Sequence, residues 1–344
     1  MDNRAVSLQT PSRKRDRFFR SRPAVYIGIL LSVVVATSLY QLRVDNIFAC
    51  PASGYTPDRY LSNCGAANYG DYEHGAFWFD LEPAAEKSAA SADVLFLGDS
   101  RMLLAFSNAA TAKWFSSISA SFYLLGFYGF ENSIFEQALL RKIKPTAEVY
   151  VIAIGDFFQP TEAPIAKTIM RDGAGRSSYE LKRYLQLIHE AICMKLTKIC
   201  GSDLAVFRSR QTGMWYMQTG KFKGRERPVS YDGQAHKREI DDAVAIGQAF
   251  LSELPVNADC VILTVVPGVG TKLEAARAIA SSLGRALVVP DHIDGLQTFD
   301  GTHLDHPSGE RWSDAFFKIA GPQIQKCLEV QRRDANIVLP SHIN

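Results

Sequence analysis

Metal-binding spacings are missing from this chain. Its seven histidines and six cysteines contain no C-x2-C or H-x3-H cluster, so no zinc site is expected. Internal repeats and low-complexity tracts are also missing, which excludes a solenoid or a disordered chain. A general excess of positive charge is lacking too. Residues 1–22 carry seven arginines and lysines against two aspartates, a net +5, while the whole chain is +2. The other 322 residues therefore sum to −3. A slightly acidic body argues against nucleic acid as the partner, and the basic tail has another reading.

Charge is also absent from Pro23 to Leu42, a run of 20 residues, PAVYIGILLSVVVATSLYQL. About 20 apolar residues suffice for a helix to cross a bilayer. The basic flank of such a helix stays in the cytoplasm, so the bulk of the protein is expected outside. A cleaved signal peptide is the rival, but Ala36-Thr37-Ser38 is followed by more apolar sequence. A lipobox at Ile47-Phe48-Ala49-Cys50 fails because Arg43 and Asp45 separate it from the apolar run. The expectation is a single-pass, uncleaved anchor in the inner (plasma) membrane, with an extracytoplasmic or periplasmic body. Its segments are a basic tail at 1–22, a membrane helix at 23–42, a connector at 43–90, a main domain at 91–330 and a tail at 331–344.

Six cysteines suit an oxidising compartment. Cys50 and Cys64 bracket a Gly/Pro/Asn-rich stretch and form a plausible staple. Cys193 and Cys200 could close a helix end. Cys260 falls in an apparent strand and Cys327 near the last helix. Six cysteines allow 15 pairings, and six buried thiols are the alternative.

From residue 93, short apolar runs alternate with amphipathic stretches. Strands are expected at 94–97, 119–125, 149–154, 261–266 and 286–289. Helices are expected at 103–115, 131–142, 236–254, 271–283 and 307–327. Strands buried on both faces and alternating with helices indicate an α/β fold with a doubly wound parallel sheet. Ligands bind such sheets at the carboxyl ends of the strands. Residues 156–235 break the rhythm and read as an insertion with a helix at 178–199, a candidate cap. Its Lys221, Lys223, Arg225 and Arg227 could meet an anionic substrate, although a solvated loop is the simpler reading.

Two short segments carry chemistry. Gly98-Asp99-Ser100 follows the first expected strand, where a serine is presented at the top of the sheet beside a helix N-terminus. Near the other end, Asp300-Gly301-Thr302-His303 precedes the last helix. An acid three residues from an imidazole can fix its tautomer and stabilise its charged form. The imidazole can then take a proton from a serine hydroxyl. Taken singly, one is a common turn and the other a surface or capping histidine. Asp291-His292 lacks the same context, and His306 abuts Pro307.

Together, VLFLGDSRM and DGTHLDHPSG resemble the first and last conserved blocks of the SGNH/GDSL hydrolases, over about residues 93–325 with 156–235 unaccounted for. The resemblance implies a flavodoxin-like three-layer α/β/α fold and acyl-ester chemistry, by an esterase or an O-acyltransferase, with no cofactor and no metal. It implies a catalytic trio of Ser100, Asp300 and His303. It implies an oxyanion hole from the Ser100 backbone, a glycine after the second strand (Gly129 first, Gly126 second) and an Asn-position residue after the third. Here that residue is Asp156, in Ile154-Gly155-Asp156-Phe157, and an ionised carboxylate cannot donate a hydrogen bond. The implied substrate is an acyl ester or acetylated envelope carbohydrate. The other class is a silent SGNH-like glycan-binding or assembly protein.

Overall fold

A computed structural model describes residues 16–172, 175–218, 225–291 and 293–337. Lys221, Lys223, His292 and the ends of both expected tails lie outside these. The chain enters through α1 (Asp16–Asp45), continues through a 3-10 turn at Ile47–Ala49, and forms β1 (Arg59–Cys64), β2 (Gly70–Asp71), α2 (Glu73–Trp78) and α3 (Pro83–Ser91). Next come β3 (Val94–Asp99), α4 (Ser100–Phe106), α5 (Ala109–Ser117), β4 (Phe122–Phe127), α6 (Ser133–Ile143) and β5 (Val149–Ala153). An interruption supplies α7 (Pro164–Asp172), α8 (Arg176–Cys193), β6 (Ala205–Ser209), β7 (Trp215–Gln218) and β8 (Arg227–Pro228). The rhythm resumes with α9 (Lys237–Leu251), β9 (Val261–Thr264), α10 (Leu273–Ser282), β10 (Gln297–Thr298) and α11 (His306–Ile337).

The central sheet is parallel, in the order β4-β3-β5-β9. Its strands are buried on both faces because successive side chains point to opposite sides. Leu95, Leu97, Tyr123, Leu125, Tyr150 and Ile152 pack with Phe135 of α6, Phe250 of α9 and Ala276 of α10. Val94, Phe96, Leu124, Val149 and Val151 pack with Phe106 of α4, Phe115 of α5 and Phe316 of α11. Helices thus cover both faces. Chain order reverses across the sheet at β3, with β4 on one side and β5 on the other. This switch opens a crevice at the strand ends.

Three local expectations are corrected. The single helix at 103–115 is two helices, because Asn108 starts a new one: its Oδ1 accepts from Thr111 N at 3.1 Å. Residues 286–289 shorten to a single parallel bridge beside β9, where Leu263 N donates to Ala286 O at 3.1 Å and Val288 N to Leu263 O at 2.8 Å. The helix at 178–199 ends at Cys193, where a disulfide to Cys200 turns the chain.

The segment 156–235 is not self-contained. Its β6 and β7 join β1 and β2 of the connector in one antiparallel sheet, ordered β2-β1-β6-β7. This second sheet is fastened to edge strand β4: Leu124 N donates to Thr212 O at 2.8 Å, and Arg208 donates to the carbonyls of Leu124 and Gly126. Connector and insertion are therefore one structural unit beside the sheet. The remaining strand of the insertion, β8, pairs with β10 just before Asp300.

All six cysteines are paired, as Cys50–Cys64, Cys193–Cys200 and Cys260–Cys327, with Cα separations of 6.0, 5.8 and 5.8 Å. Pro23–Asp45 is a 23-residue helical stretch, long and apolar enough to cross a membrane, and its 18-residue apolar window has no residue buried in the protein.

Candidate active site

Ser100 is the first residue of α4, directly after β3. Asp99 caps that helix, accepting from Arg101 N at 2.9 Å. Gly98 has φ +152°, and a Cβ there would sit 3.0 Å from the Ala153 side chain. Glycine therefore lets the turn lie against β5.

The loop before the last helix brings the second half of the site. His303 Nε2 lies 2.8 Å from Ser100 Oγ, across 203 residues of sequence. His303 Nδ1 lies 2.7 Å from Asp300 Oδ2. The other Asp300 oxygen accepts from the backbone N–H groups of Thr302 (2.9 Å) and His303 (2.8 Å), so the loop holds its own acid in place. Thr298 Oγ1 accepts from Gly301 N and donates to Arg227 O, tying the loop to β8. The Phe299 ring stacks on the imidazole, 5.6 Å between centres and 14° between planes.

Burial works to raise the Asp300 carboxyl, but the hydrogen bonds and charge of His303 and the backbone donors outweigh it and hold the group at about 2. An ionised Asp300 can only accept, so Nδ1 carries the proton and Nε2 turns its lone pair to the Ser100 hydroxyl. That arrangement suits proton abstraction from a nucleophile. His306 is an exposed residue at the start of α11.

The expected oxyanion residues fall at the same sheet edge but differ in their surroundings. Asp99 is level with Phe127 in the parallel register, which puts Gly129 one residue beyond the level of Ser100. Gly126 lies inside β4, and a Cβ there would come within 2.5 Å of Gly98 O, so it serves strand packing. Gly129 (φ +85°) and Phe130 (φ 61°) are consecutive left-handed residues, and the Phe130 ring is 77% exposed. A bulky residue in that region is strained. Asp156 accepts from Arg101 Nη1 at 3.0 Å, and Arg101 also donates through Nε and Nη2 to Asp99 Oδ2 at 2.9 and 2.6 Å. The donor at this corner is thus Arg101. A cavity of ≈ 230 Å³ opens here, lined by Arg101, Phe130, Asp156, Val266 and Thr302 among others.

Sequence reasoning missed the groups that hold the Gly129 loop. Glu73 Oε1 accepts from Tyr128 N at 3.0 Å, and Glu73 Oε2 accepts from Arg208 Nη1 (3.0 Å) and Trp215 Nε1 (3.1 Å). His74 bridges Asp71 and Glu131, 2.9 Å to each. Burial opposes charge on His74, but the two carboxylates raise its pKa to about 10. Glu73, His74, Glu131 and Arg208 are buried. Below the Ser100 turn, the buried Glu136 accepts from Gly98 N at 3.1 Å. Nothing in the local pattern of these residues distinguishes them from surface charges. Arg101 had one available signal, its place next to the serine with two aspartates at the same edge.

Among the described residues, two groups have the spacing to offer three metal-ligand atoms. In His189, Cys193 and Cys200 both sulfurs are spent in a disulfide, and in Asp71, Glu73 and His74 both imidazole nitrogens are engaged with carboxylates. Comparison with protein-family profiles, curated proteins and solved structures gives no match.

Proposed function

We propose that this chain is a serine-dependent acyl-ester hydrolase or O-acyltransferase of the SGNH/GDSL type, anchored in the membrane by α1 and acting outside it on envelope carbohydrate esters. The observation that supports it is the hydrogen-bonded line Ser100 Oγ, His303 Nε2, His303 Nδ1 and Asp300 Oδ2, at 2.8 and 2.7 Å. The strand order around β3, flavodoxin-like in form, is in keeping with it.

In this reading Ser100 Oγ attacks an ester carbonyl and its proton passes to His303 Nε2. The oxyanion faces the N–H groups of Ser100 and Gly129, with Arg101 behind Asp156 offsetting a negative corner. Collapse releases the alcohol, which takes the proton from His303, and leaves an acyl-serine. Water or a sugar hydroxyl then gives its proton to His303 Nε2 and bonds to the acyl carbon, the bond to Ser100 Oγ breaks, and the imidazolium returns the proton to Oγ. Asp300 stays ionised throughout and balances the imidazolium.

Mass spectrometry of the protein after p-nitrophenyl acetate tests this. An acetyl adduct on Ser100, missing in Ser100→Ala, is expected. No adduct, together with no labelling by a fluorophosphonate, would instead favour a second reading. That reading is a silent SGNH-like domain that binds glycan or serves in assembly, and the ion-paired Asp156 speaks for it. A carboxylate where a donor is needed removes one oxyanion contact, worth about 10²–10³ in rate.

A further inference from the structure

Helix α8 has one face packed on the protein through polar groups and, opposite it, an apolar face left exposed. One face, Gln186, His189 and Cys193, is buried against the protein. The other presents Leu181, Tyr184 and Leu187, and the turn beyond adds Met194, Leu196 and Ile199, all between 44% and 62% exposed. A contiguous apolar patch of this kind on the outer side of a helix marks a docking surface.

The position of the patch indicates the cover. The C-terminal end of α8 is fastened to the chain just after α1. His189 Nε2 lies 3.0 Å from Cys50 O, the Phe48 ring meets the His189 ring edge-on at 5.4 Å, and Gly201 N donates to Phe48 O at 2.8 Å. The patch therefore lies beside the point where α1 ends, at Asp45. The Cys193–Cys200 disulfide closes the turn that carries Met194, Leu196 and Ile199.

Charge supports the same cover. Residues 176–199 hold five cations (Arg176, Lys182, Arg183, Lys195, Lys198) against Glu180 and Glu190, a net +3 within a body of −3. Arg183, Lys195 and Lys198 are exposed around the apolar residues. Apolar side chains ringed by cations, with a tyrosine among them, suit the boundary between acyl chains and anionic headgroups.

We infer that the outer face of α8 and the Met194–Ile199 turn rest on an anionic lipid surface, as a second membrane contact beside α1. The inference rests on α1 crossing the bilayer. With two contacts the body lies against the membrane in one orientation rather than swinging on a tether.

The test uses the full chain with a photoreactive diazirine amino acid in place of Leu187, Leu196 or, as a control on α11, the exposed Ile319. Each protein is reconstituted in vesicles of phosphatidylethanolamine and phosphatidylglycerol, irradiated, and its adducts identified by mass spectrometry. Lipid adducts at 187 and 196 with none at 319 are expected, with lower yield in phosphatidylcholine alone. Adducts to a second copy of the chain, or no adduct at 187 and 196, overturn the proposal. Washing the vesicles with alkaline carbonate separates the two ideas. A released chain shows that α1 does not cross, and the adduct pattern still decides whether the α8 face touches lipid.

Discussion

Ser100 and His303 act as a unit in the proposed reaction, so their losses should not add. Ser100→Ala and His303→Ala are each expected to remove nearly all p-nitrophenyl acetate turnover, and the double variant to lose little more. Asp300→Ala should lose less, because water can hold the Nδ1 proton and the backbone bond from Phe299 N to His303 O, at 3.0 Å, still closes the loop. Steady-state rates of the four proteins check this, and additive losses would mean independent roles. Glu136 gives a second test at this scale. Burial pushes its carboxyl well above the ordinary range, and its Oε2 has no hydrogen-bond partner. A raised acid is neutral in the folded state while the unfolded chain ionises near the ordinary carboxylate value, about 4.3. Stability is therefore lost as pH rises above that value. Glu136→Gln removes the titration and keeps an acceptor for Gly98 N. Its melting temperature should rise relative to the parent between about pH 5 and pH 8; a difference that does not change with pH would contradict the neutral buried acid.

The loop after β4 depends on elements far from it in sequence. Arg208 of β6 and Glu73 of α2 meet at 3.0 Å, both fully buried, beside the carbonyls of Leu124 and Gly126. Removing one partner leaves a buried charge without its counter-ion. Arg208→Met should thus cost about 3–5 kcal/mol. Glu73→Gln still accepts from Tyr128 N but leaves Arg208 uncompensated. The double variant should cost less than the sum of the two, because neither charge is then stranded. Urea unfolding of all four proteins measures the coupling, and strict additivity would mean that the pair is not energetically linked. The element boundaries show what local sequence could and could not tell. Helix 103–115 was expected as one piece because its apolar spacing continues through Asn108. The break arises from the Asn108 cap, whose Oδ1 also accepts from Ser313 of α11.

Over the whole molecule, the three disulfides close loops of very different size. Cys260–Cys327 spans 67 residues and joins the start of β9 to α11, the helix that follows the His303 loop. Loop-closure entropy for that span is worth roughly 4 kcal/mol. Replacing both cysteines by serine should lower stability by more than replacing Cys193 and Cys200, which close seven residues. Thermal melting of the two double variants compares them directly. A larger loss from the shorter loop would show that packing at the Met194–Ile199 turn, not chain entropy, governs the effect.

Local pattern determined the alternation of strands and helices, since short continuous apolar runs and apolar helix stripes are written in neighbouring residues. It also determined the apolar run of α1, which needs only length and the absence of charge. Ser100 and the Asp300–His303 pair could be picked out because each sits in a short segment with its own turn chemistry, and a parallel sheet puts such segments at one edge. Only the tertiary structure decided the rest. The antiparallel pairing of β1 with β6 joins residues about 145 apart, and strand partners at that distance leave no periodic trace. The Glu73, His74, Glu131 and Arg208 network was hidden for a related reason. A buried charge and a surface charge are the same letter in a sequence, and what separates them is whether a distant element brings the partner that offsets the loss of water.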